Sequence, residues 1–440
     1  MPAPVDDYLL IRCAAIRDAL GVDSAPGAML LRPDRSVLLA GSVEEAGQVV
    51  RERFEGPGID RIKTIDRPGH LLIPMLVNAH THLDLTHLGP LPFDGDFISW
   101  VDRIREGRHY DEVGIFQSTM RGGELSRRGG TAAVGDIAGV FSTVPMQALR
   151  ESGMRGVSYV ELFGQGELQA NAIERMKSIA MESQIECKGS DEVRLGLQPH
   201  APYSAGLDLF RAVVETAREF DLAPSTHLAE TEAEIEFTKY ATGAQAELIK
   251  RLGKWDDSIA PSGLHPVDHL AQVMAQSRDL SPGWTLAHLN YVDDDHISQL
   301  ASWNATVVYC PRASAYFGHR NHRYRDMIEA GAKVALGTDS IIGLDTADRI
   351  SIVDEMRLLY QRDHADGETL LKMATVNGAV ALGVDPRRVS FQPTEETSPV
   401  PIGGAIALAI DPDSGIDPLS CALSDDRVFE VIDFRSIREV

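Results

Sequence analysis

The sequence is poor in the features that mark exported, membrane-spanning or disulfide-rich proteins. Its 440 residues include four cysteines, which lie too far apart for a CxxC pair, a zinc ribbon or a dense disulfide framework: Cys13, Cys187, Cys310 and Cys421. No stretch approaches the roughly 18 apolar residues of a spanning helix, and the first residues carry acids where a signal peptide has a basic start. We therefore expect reduced thiols in a soluble, cytoplasmic protein.

Positive charge and nucleotide-binding motifs are also scarce. Acidic residues outnumber basic ones 65 to 42, which gives a formal net charge of −23, and no basic block is present to neutralise a run of phosphates. The chain lacks a GxGxxG after a strand, a Walker A loop, a GxSxG elbow, heptads and long repeats. These absences exclude nucleic acid and anionic membranes as partners, and they disfavour dinucleotide enzymes, covalent acyl-enzymes and scaffolds.

What the sequence does contain is a recurrence of eight short apolar runs, each followed by a segment of helical periodicity. The runs lie at 70–80, 130–138, 156–164, 193–201, 222–230, 284–290, 305–311 and 332–340. A clear helical example between them is 207–220, whose apolar residues recur at spacings of three and four. Eight alternating β and α units predict an α/β fold, a closed (β/α)8 TIM-type barrel over residues 70–384.

Both ends of the chain have a different pattern. Residues 6–50 and 400–436 contain short strand-like runs separated by turn residues. The segment 385–401 is rich in proline, serine, threonine and charge, which is typical of a linker leaving the barrel. We predict a small β-sandwich domain built from residues 1–69 and 385–440.

The first barrel strand ends in a pair of histidines. His80 and His82 flank Thr81, and since side chains alternate faces with a period of two, both imidazoles point to the same side. Two neutral ring nitrogens on one side of a strand end can chelate one divalent cation. An HxH pair is common by chance, so two polar loop histidines are the alternative interpretation.

Further polar residues follow the other strand runs, where barrel enzymes carry their chemistry. His227 ends one run and Asp339 ends the last, so that three imidazoles and one carboxylate can converge on one ion and leave room for a water molecule. Asp339 could instead cap the segment that follows it. The fourth run, VRLGLQPHA, lacks the lysine that bridges two metals when carboxylated, which favours a single metal.

Three more residues at strand ends are candidates for catalysis or substrate contact. Glu230, three residues after His227, is the candidate general acid and base, with a first-turn helix glutamate as the alternative; Glu232, Glu234 and Glu236 are expected to have that structural role. His288 could hold the attacking hydroxide. His200 could be a ligand, a substrate contact or a structural histidine, and we favour substrate contact.

Taken together in order and spacing, these motifs resemble the amidohydrolase superfamily, in the branch of cytosine deaminase, guanine deaminase, chlorotriazine hydrolases and adenosine-derivative deaminases. The resemblance covers residues 70–384 and is carried by six segments: LVNAHTHLDLTHLG, QPHAPYS, STHLAETEAE, LAHLNYVDDDHI, CPRASAYFGH and VALGTDS. It implies that His80, His82, His227 and Asp339 bind one Zn²⁺ or Fe²⁺. It also implies that Glu230 shuttles a proton to a ring nitrogen, that His288 positions the water, and that His200 contacts the substrate. A homodimer is common among such relatives.

A narrower resemblance comes from residues 97–108 together with CPRASAYFGH, which look like the aminodeoxyfutalosine deaminases. It makes Arg108, Arg312 and His319 hypothetical contacts for a polar or carboxylate-bearing substrate tail, with surface ion pairs as the alternative for the two arginines. The sequence departs from the branch at Ile73-Pro74-Met75, where a Pro-Gly is usual, and in the C-terminal GAIALAIDP, which indicates a reduced or reshaped sandwich.

These observations predict a mononuclear metal-dependent deaminase that releases ammonia from an aminated heterocycle, preferably a 6-aminopurine nucleoside derivative of the aminodeoxyfutalosine type. One alternative keeps the same site and changes the leaving group, as in a chlorohydrolase or another aminoazine or guanine hydrolase. A second alternative, from another class, is a barrel that binds a ligand without turning it over.

Overall fold

The computed structural model describes residues 7–54, 61–186, 193–393 and 403–434. Cys187 and residues 394–401 of the predicted linker lie outside them. The strands are β1 (Tyr8–Arg17), β2 (Asp23–Ser24), β3 (Gly27–Leu31), β4 (Val37–Ser42), β5 (Ile62–Pro74), β6 (Leu76–Thr81), β7 (Thr131–Val140), β8 (Arg155–Leu162), β9 (Val193–Pro199), β10 (Ala223–Leu228), β11 (Trp284–His288), β12 (Ala305–Tyr309), β13 (Lys333–Leu336), β14 (Gly404–Ala409) and β15 (Phe429–Asp433).

The α-helices connect and cover these strands. They are α1 (Val43–Arg53), α2 (Phe97–Gly107), α3 (Glu112–Arg128), α4 (Val144–Ser152), α5 (Leu168–Glu186), α6 (Leu207–Phe220), α7 (Glu232–Tyr240), α8 (Gly243–Arg251), α9 (Pro266–Gln276), α10 (Asp294–Ser302), α11 (Pro311–Tyr316), α12 (Tyr324–Glu329), α13 (Ile352–Asp363), α14 (Gly367–Lys372), α15 (Gly378–Ala381) and α16 (Pro418–Leu423). Within these described segments, no helix is both long enough and apolar enough to cross a bilayer.

Eight strands form the predicted barrel. Strands β6 to β13 lie side by side in chain order, and every hydrogen-bonded pair among them is parallel. All residues of β6, β10, β11 and β12 are buried, because helices cover the outside of the sheet and side chains fill the inside. The prediction of an α/β barrel is confirmed, and each of the eight apolar runs overlaps its strand.

The barrel closes between its first and last strands through side-chain and backbone hydrogen bonds. The amide of Asn78 in β6 donates to Thr338 Oγ1 at 2.7 Å, and the Thr338 backbone N–H donates back to Asn78 Oδ1 at 3.1 Å. The backbone N–H groups of Thr338 and Asp339 also lie 3.0 Å from the carbonyl oxygen of His80. Closure therefore places the end of β13 beside the HxH pair of β6.

Both ends of the chain contribute to one further sheet, which confirms the predicted small β domain. Its seven strands follow the order β15-β14-β5-β1-β3-β4, with β2 paired to β1. Strands β1 and β5 are parallel, and the other pairs are antiparallel. Residues from both ends of the chain pack in its core, including Ile11, Met29, Phe391 and Ala405.

The passage from the terminal sheet to the barrel differs from the predicted boundary between residues 69 and 70. Strand β5 continues to Pro74 and pairs with β14, and the barrel begins with Leu76. The sequence shows one apolar run over 70–80 because the end of β5 and all of β6 are buried, so hydrophobicity does not mark the change of sheet.

One prediction concerns the close approach of β7 and β8. Gly156 has φ +126°, and a Cβ atom there would lie 2.0 Å from the carbonyl oxygen of Val134. We expect Gly156→Ala to lower the free energy of unfolding by about 3 kcal/mol, from a clash added to backbone strain. Chemical denaturation measures this loss. The matched control is Gly331→Ala, with φ +94° and no heavy atom within 4 Å, which should cost about 1 kcal/mol. Equal losses would contradict the clash.

Candidate metal centre and active site

Three histidines converge at the carboxyl ends of the barrel strands. His80 lies near the end of β6, His82 directly follows that strand, and His227 lies in β10. One nitrogen from each ring lies within 4.8 Å of the others. The Nε2 atoms of His82 and His227 are 3.4 Å apart. Two of the rings, His80 and His227, are nine-tenths or more buried. The predicted convergence of these three imidazoles is what the structure shows.

The protonation of these rings suits a cation rather than a network of ordinary hydrogen bonds. Burial lowers the pKa of all three imidazoles, and that of His82 falls to about 3. Both ring nitrogens of His80 are buried and have no hydrogen-bond partner among the described residues. His227 Nδ1 donates to the carbonyl oxygen of His200 at 3.0 Å, so Nε2 carries the lone pair, and this atom lies 3.4 Å from the side-chain nitrogen of Gln198. The set fits one divalent metal ion held by neutral imidazoles.

Asp339 supplies a carboxylate at the same place. Its Oδ1 lies 3.4 Å from His82 Nε2, and it also accepts the backbone N–H of Ser340 at 2.8 Å. Burial raises the pKa of Asp339 to about 6. The residue has φ +58°, a conformation fixed by the barrel-closing hydrogen bond to His80. Asp339 can thus serve as the fourth ligand, as the sequence predicts.

Glu230 and His288 lie on the other side of Asp339. Ligand atoms of these three residues lie within 4.8 Å of one another, and His288 Nε2 is 3.7 Å from Glu230 Oε1. Burial raises the pKa of the Glu230 carboxyl well above its usual range, and the neighbouring carboxylates of Asp339 and Glu234 raise it further. Glu230 is therefore a buried acid beside the three-histidine cluster, suited to take up and release a proton.

Glu234 lies in the first turn of α7, as the sequence predicts, but its side chain is fully buried and turns back toward Glu230. Its two carboxylate oxygens each accept a backbone N–H at 2.9 Å, one from Ala229 and one from Glu230. Ala229 has φ +49°, so the two bonds hold a left-handed turn just before the candidate acid. Periodicity could have found this residue, since position 234 falls on the same helix face as the buried Phe237.

His322 supports His288 in a comparable way. His288 and the following Leu289 have φ +75° and +57°, and His322 Nε2 donates to the His288 carbonyl oxygen at 2.7 Å. The ring of His322 stacks on Tyr309, with centroids 3.7 Å apart. No sequence pattern points to this role of His322, because a contact between residues 34 positions apart in the chain leaves no local signal.

His200 lies at the end of β9, beside the metal cluster. Its Nδ1 is 2.6 Å from Ser204 Oγ, its Nε2 is 3.7 Å from Glu161 Oε1, and its ring stacks on Phe163. Glu161, His200 and His227 form a second group of possible ligands. Only one ring nitrogen of His227, Nε2, has a lone pair that can bind a metal ion. That nitrogen faces His82. Substrate contact by His200 stays a prediction.

Carboxylates line the wall next to His200. Glu161 in β8, Asp136 in β7 and Asp84 after β6 are buried, and Arg108, just after α2, donates to Asp84 Oδ2 at 2.8 Å. Arg108 is close enough to lower the pKa of both His82 and His200. The three acids were not predicted, although a charged residue inside an apolar strand run is a usable signal.

The two other predicted contacts lie in different surroundings. His319 Nδ1 is 3.0 Å from the Tyr291 hydroxyl, and its buried Nε2 has no partner in the described part of the chain. It thus keeps a free nitrogen, and its substrate contact stays a prediction. The guanidinium of Arg312 is engaged inside the protein. It donates to Glu355, Asp345, Thr346 and the Ser351 carbonyl. Arg312 is a buried ion-pair residue, which corrects the expected substrate contact.

An aromatic cluster lies on the same end of the barrel as the metal cluster. Helix α2, which follows β6, packs against the residues that follow β12, and Trp100 Nε1 donates to the Tyr316 hydroxyl at 3.2 Å. Phe93, Phe97 and Trp100 contact the ring of Phe317 at centroid distances of 5.0 to 6.0 Å. The stretch singled out in the sequence, residues 97–108, therefore forms a half-buried aromatic wall that ends in Arg108.

Comparison with known proteins agrees with this geometry. The model of the Amidohydrolase family matches residues 71–388, which include all eight barrel strands and every candidate ligand. The chain belongs to the amidohydrolase family. It is accordingly a hydrolytic enzyme that acts on C–N bonds.

Individual relatives of this amidohydrolase are deaminases. A 5-methylthioadenosine/S-adenosylhomocysteine deaminase of Pyrococcus furiosus is 30% identical over 358 residues, which cover 78% of this chain and 76% of the relative. An adenosine deaminase of Xanthomonas campestris, solved with bound zinc, matches with a TM-score of 0.71 and 20% identity, covering 94% of this chain and 88% of its own. Helicobacter pylori aminofutalosine deaminase matches with a TM-score of 0.72 and 17% identity, covering 94% and 95%. The two solved structures share the fold.

The first prediction from the site concerns its metal. We expect His80→Asn and His227→Asn to purify with less than about a tenth of the metal of the parent, because each loses a buried ligand nitrogen. Elemental analysis of the purified proteins measures this. His265→Asn is the matched control, since His265 is a buried histidine that caps α9 and asparagine also caps helices. Full metal content in both ligand variants would rule out this ligand set.

The second prediction concerns Glu234. An amide at this position can accept only one of the two backbone N–H groups, so we expect Glu234→Gln to lower kcat about 10-fold while KM and metal content stay within about twofold. Steady-state kinetics with elemental analysis checks this. Glu232→Gln is the control, because Glu232 is exposed two residues earlier on the same helix. A loss confined to KM would argue against positioning of Glu230.

Proposed function

We propose that this amidohydrolase is a mononuclear, metal-dependent deaminase that removes ammonia from a 6-aminopurine nucleoside derivative. The observation that carries the proposal is the grouping of Glu230, His288 and Asp339 within 4.8 Å of one another, beside three histidines whose pKa values are lowered. A proton-transferring acid next to a metal site is what hydrolytic removal of an amino group from a ring carbon requires. The names of the relatives support the nucleoside class.

His80, His82, His227 and Asp339 would hold the metal, for which we propose Zn²⁺ with Fe²⁺ as the alternative, because imidazole and carboxylate suit both. The bound ion would lower the pKa of a water molecule to about 7 and so supply hydroxide at neutral pH. The orphaned ring nitrogens of His80 support this assignment, since buried imidazole lone pairs without any partner are costly.

Glu230 moves the proton in this proposal. Its carboxylate takes the proton of the attacking water and delivers it to the ring nitrogen next to the carbon that bears the amino group. The raised pKa of Glu230 suits both steps, because burial makes its carboxylate a stronger base than an exposed one and its acid form can still give the proton back. Glu234 keeps Glu230 in place through the two backbone bonds.

His288 and Asp339 orient the attacking water from the two sides of Glu230. Burial lowers the pKa of the His288 imidazole well below its usual range, so the ring is neutral and can donate one N–H. His288 then stabilises the negative charge that develops on the oxygen during attack, and Asp339 accepts a hydrogen bond from the same hydroxyl. As the tetrahedral carbon collapses to a carbonyl, the proton of its hydroxyl group passes through Asp339 to the amino group, which leaves as ammonia.

The alternative with another leaving group uses the same residues, since a chlorohydrolase also needs a positioned hydroxide. Products separate the two, because a deaminase releases ammonia from aminopurine nucleosides and a chlorohydrolase releases chloride from chlorotriazines. Aminodeoxyfutalosine, implied by the resemblance of residues 97–108, is one member of the nucleoside panel.

The test is ammonia release by the zinc-loaded and iron-loaded enzyme from adenosine, its 5′-modified derivatives, guanine and triazines. We expect activity on adenosine derivatives, and a loss of at least about 10³-fold in kcat in Glu230→Gln with its metal content unchanged. Glu232→Gln should retain the parent activity. Full activity of Glu230→Gln, or ammonia release from none of the nucleosides by metal-loaded protein, would refute the proposal. If the metal-loaded protein converts none of these compounds, the alternative of a ligand-binding barrel without catalytic activity would be favoured.

A further inference from the structure

One buried carboxylate beside the metal cluster has no part in the chemistry described above. Glu161 lies in β8 and is 4% exposed, and no hydrogen-bond donor of the described chain reaches its carboxylate. The nearest polar group is His200 Nε2 at 3.7 Å, which is longer than a hydrogen bond. A carboxylate oxygen of Glu161 also lies within 4.8 Å of a ring nitrogen of His227. A molecule bound at the metal cluster would therefore be within reach of Glu161.

No basic side chain of the described residues donates a hydrogen bond to the Glu161 carboxylate. Arg108 is the basic residue that faces this wall, and its hydrogen bond goes to Asp84 Oδ2 at 2.8 Å. Gly139 makes room for that pair, because a Cβ atom there would lie 2.6 Å from Asp84 Oδ2 and 2.9 Å from Arg108 Nη2. One guanidinium thus faces two carboxyl groups, and burial raises the pKa of Glu161 to about 7. The wall retains acceptor oxygens that no donor of the described chain uses.

This balance selects the chemistry of the group that faces Glu161. An anionic substituent would be repelled, so the wall does not favour the carboxylate-bearing tail that the sequence suggested for Arg108. A carboxylate needs hydrogen-bond donors. In a 6-aminopurine nucleoside the unsubstituted ring nitrogens are acceptors and the amino group is the reacting one. The remaining donors are the sugar hydroxyls.

We propose that Glu161 is the residue that recognises the vicinal 2′- and 3′-hydroxyl groups of the substrate's ribose, and so makes the enzyme select hydroxylated, uncharged nucleosides. Two adjacent O–H groups can each donate to one of the two oxygens of a carboxylate. They would supply the hydrogen-bond donors that Glu161 lacks. Arg108 keeps donors free for the same sugar oxygens while Asp84 holds its guanidinium. The inference rests on the proposed function, because it takes the bound molecule to be a nucleoside.

The test compares adenosine with 2′,3′-dideoxyadenosine. We expect Glu161→Gln to lower kcat/KM for adenosine about 10-fold or more, which is the usual effect of losing hydrogen bonds to a charged group. The kcat/KM for the dideoxy compound should change less than about twofold. Metal content and thermal stability are measured in parallel, and Glu161→Ala serves as a second variant. Glu174→Gln, exposed on the helix that follows the same strand, is the matched control.

Binding gives a readout that does not depend on turnover. In proteins carrying Glu230→Gln, calorimetry measures the affinity for both nucleosides with and without Glu161→Gln, and the same selective loss for adenosine is expected. Equal losses for both compounds, no loss for either, or no binding of either nucleoside would overturn the role of Glu161. Binding that discriminates the hydroxyls without any ammonia release would support Glu161 and refute the proposed deaminase activity instead.

Discussion

The closure of the barrel between β6 and β13 is the constraint on which the site depends. The paired hydrogen bonds of Asn78 and Thr338, and the bonds from the end of β13 to the carbonyl of His80, join the first and last strands. They bring Asp339 to within 3.4 Å of His82, next to the other proposed ligands. Residues from opposite ends of the barrel sequence can share one ion only because the sheet closes on itself.

A second common feature is that the reactive residues sit on strained backbone held by neighbouring side chains. Ala229, His288 and Asp339 all have positive φ. Glu234 fixes the first, His322 the second, and the closing bonds to β6 the third. Such conformations each cost of order 1–3 kcal/mol and persist because the surroundings dictate them. The enzyme thereby aims side chains at one point with little freedom to move away from it.

Charge is distributed unevenly around that point. Neutral imidazoles surround the proposed cation position, and Glu230, whose pKa is raised by burial, lies toward β10 and β11. Carboxyl groups with one arginine lie toward β7 and β8. Burial is the first cause of the shifted pKa values on every side, so water exclusion by the barrel and its aromatic wall prepares all of these groups together. The side toward β10 and β11 offers a substrate proton transfer. The side toward β7 and β8 offers it hydrogen-bond acceptors.

The sequence by itself determined the barrel and the terminal β domain, because strand periodicity is local, and it predicted the metal ligands and Glu230 from the order of the strand ends. It did not reveal Glu161, Glu234 or His322, and it assigned Arg312 to the substrate. Those roles depend on which side chains from separate parts of the chain are in contact. They also depend on whether a charged side chain forms an ion pair or hydrogen bond within the protein. Only the tertiary structure decides that, since the contacts of Arg312 with Glu355 and of Glu234 with the turn at Ala229 arise from packing and burial.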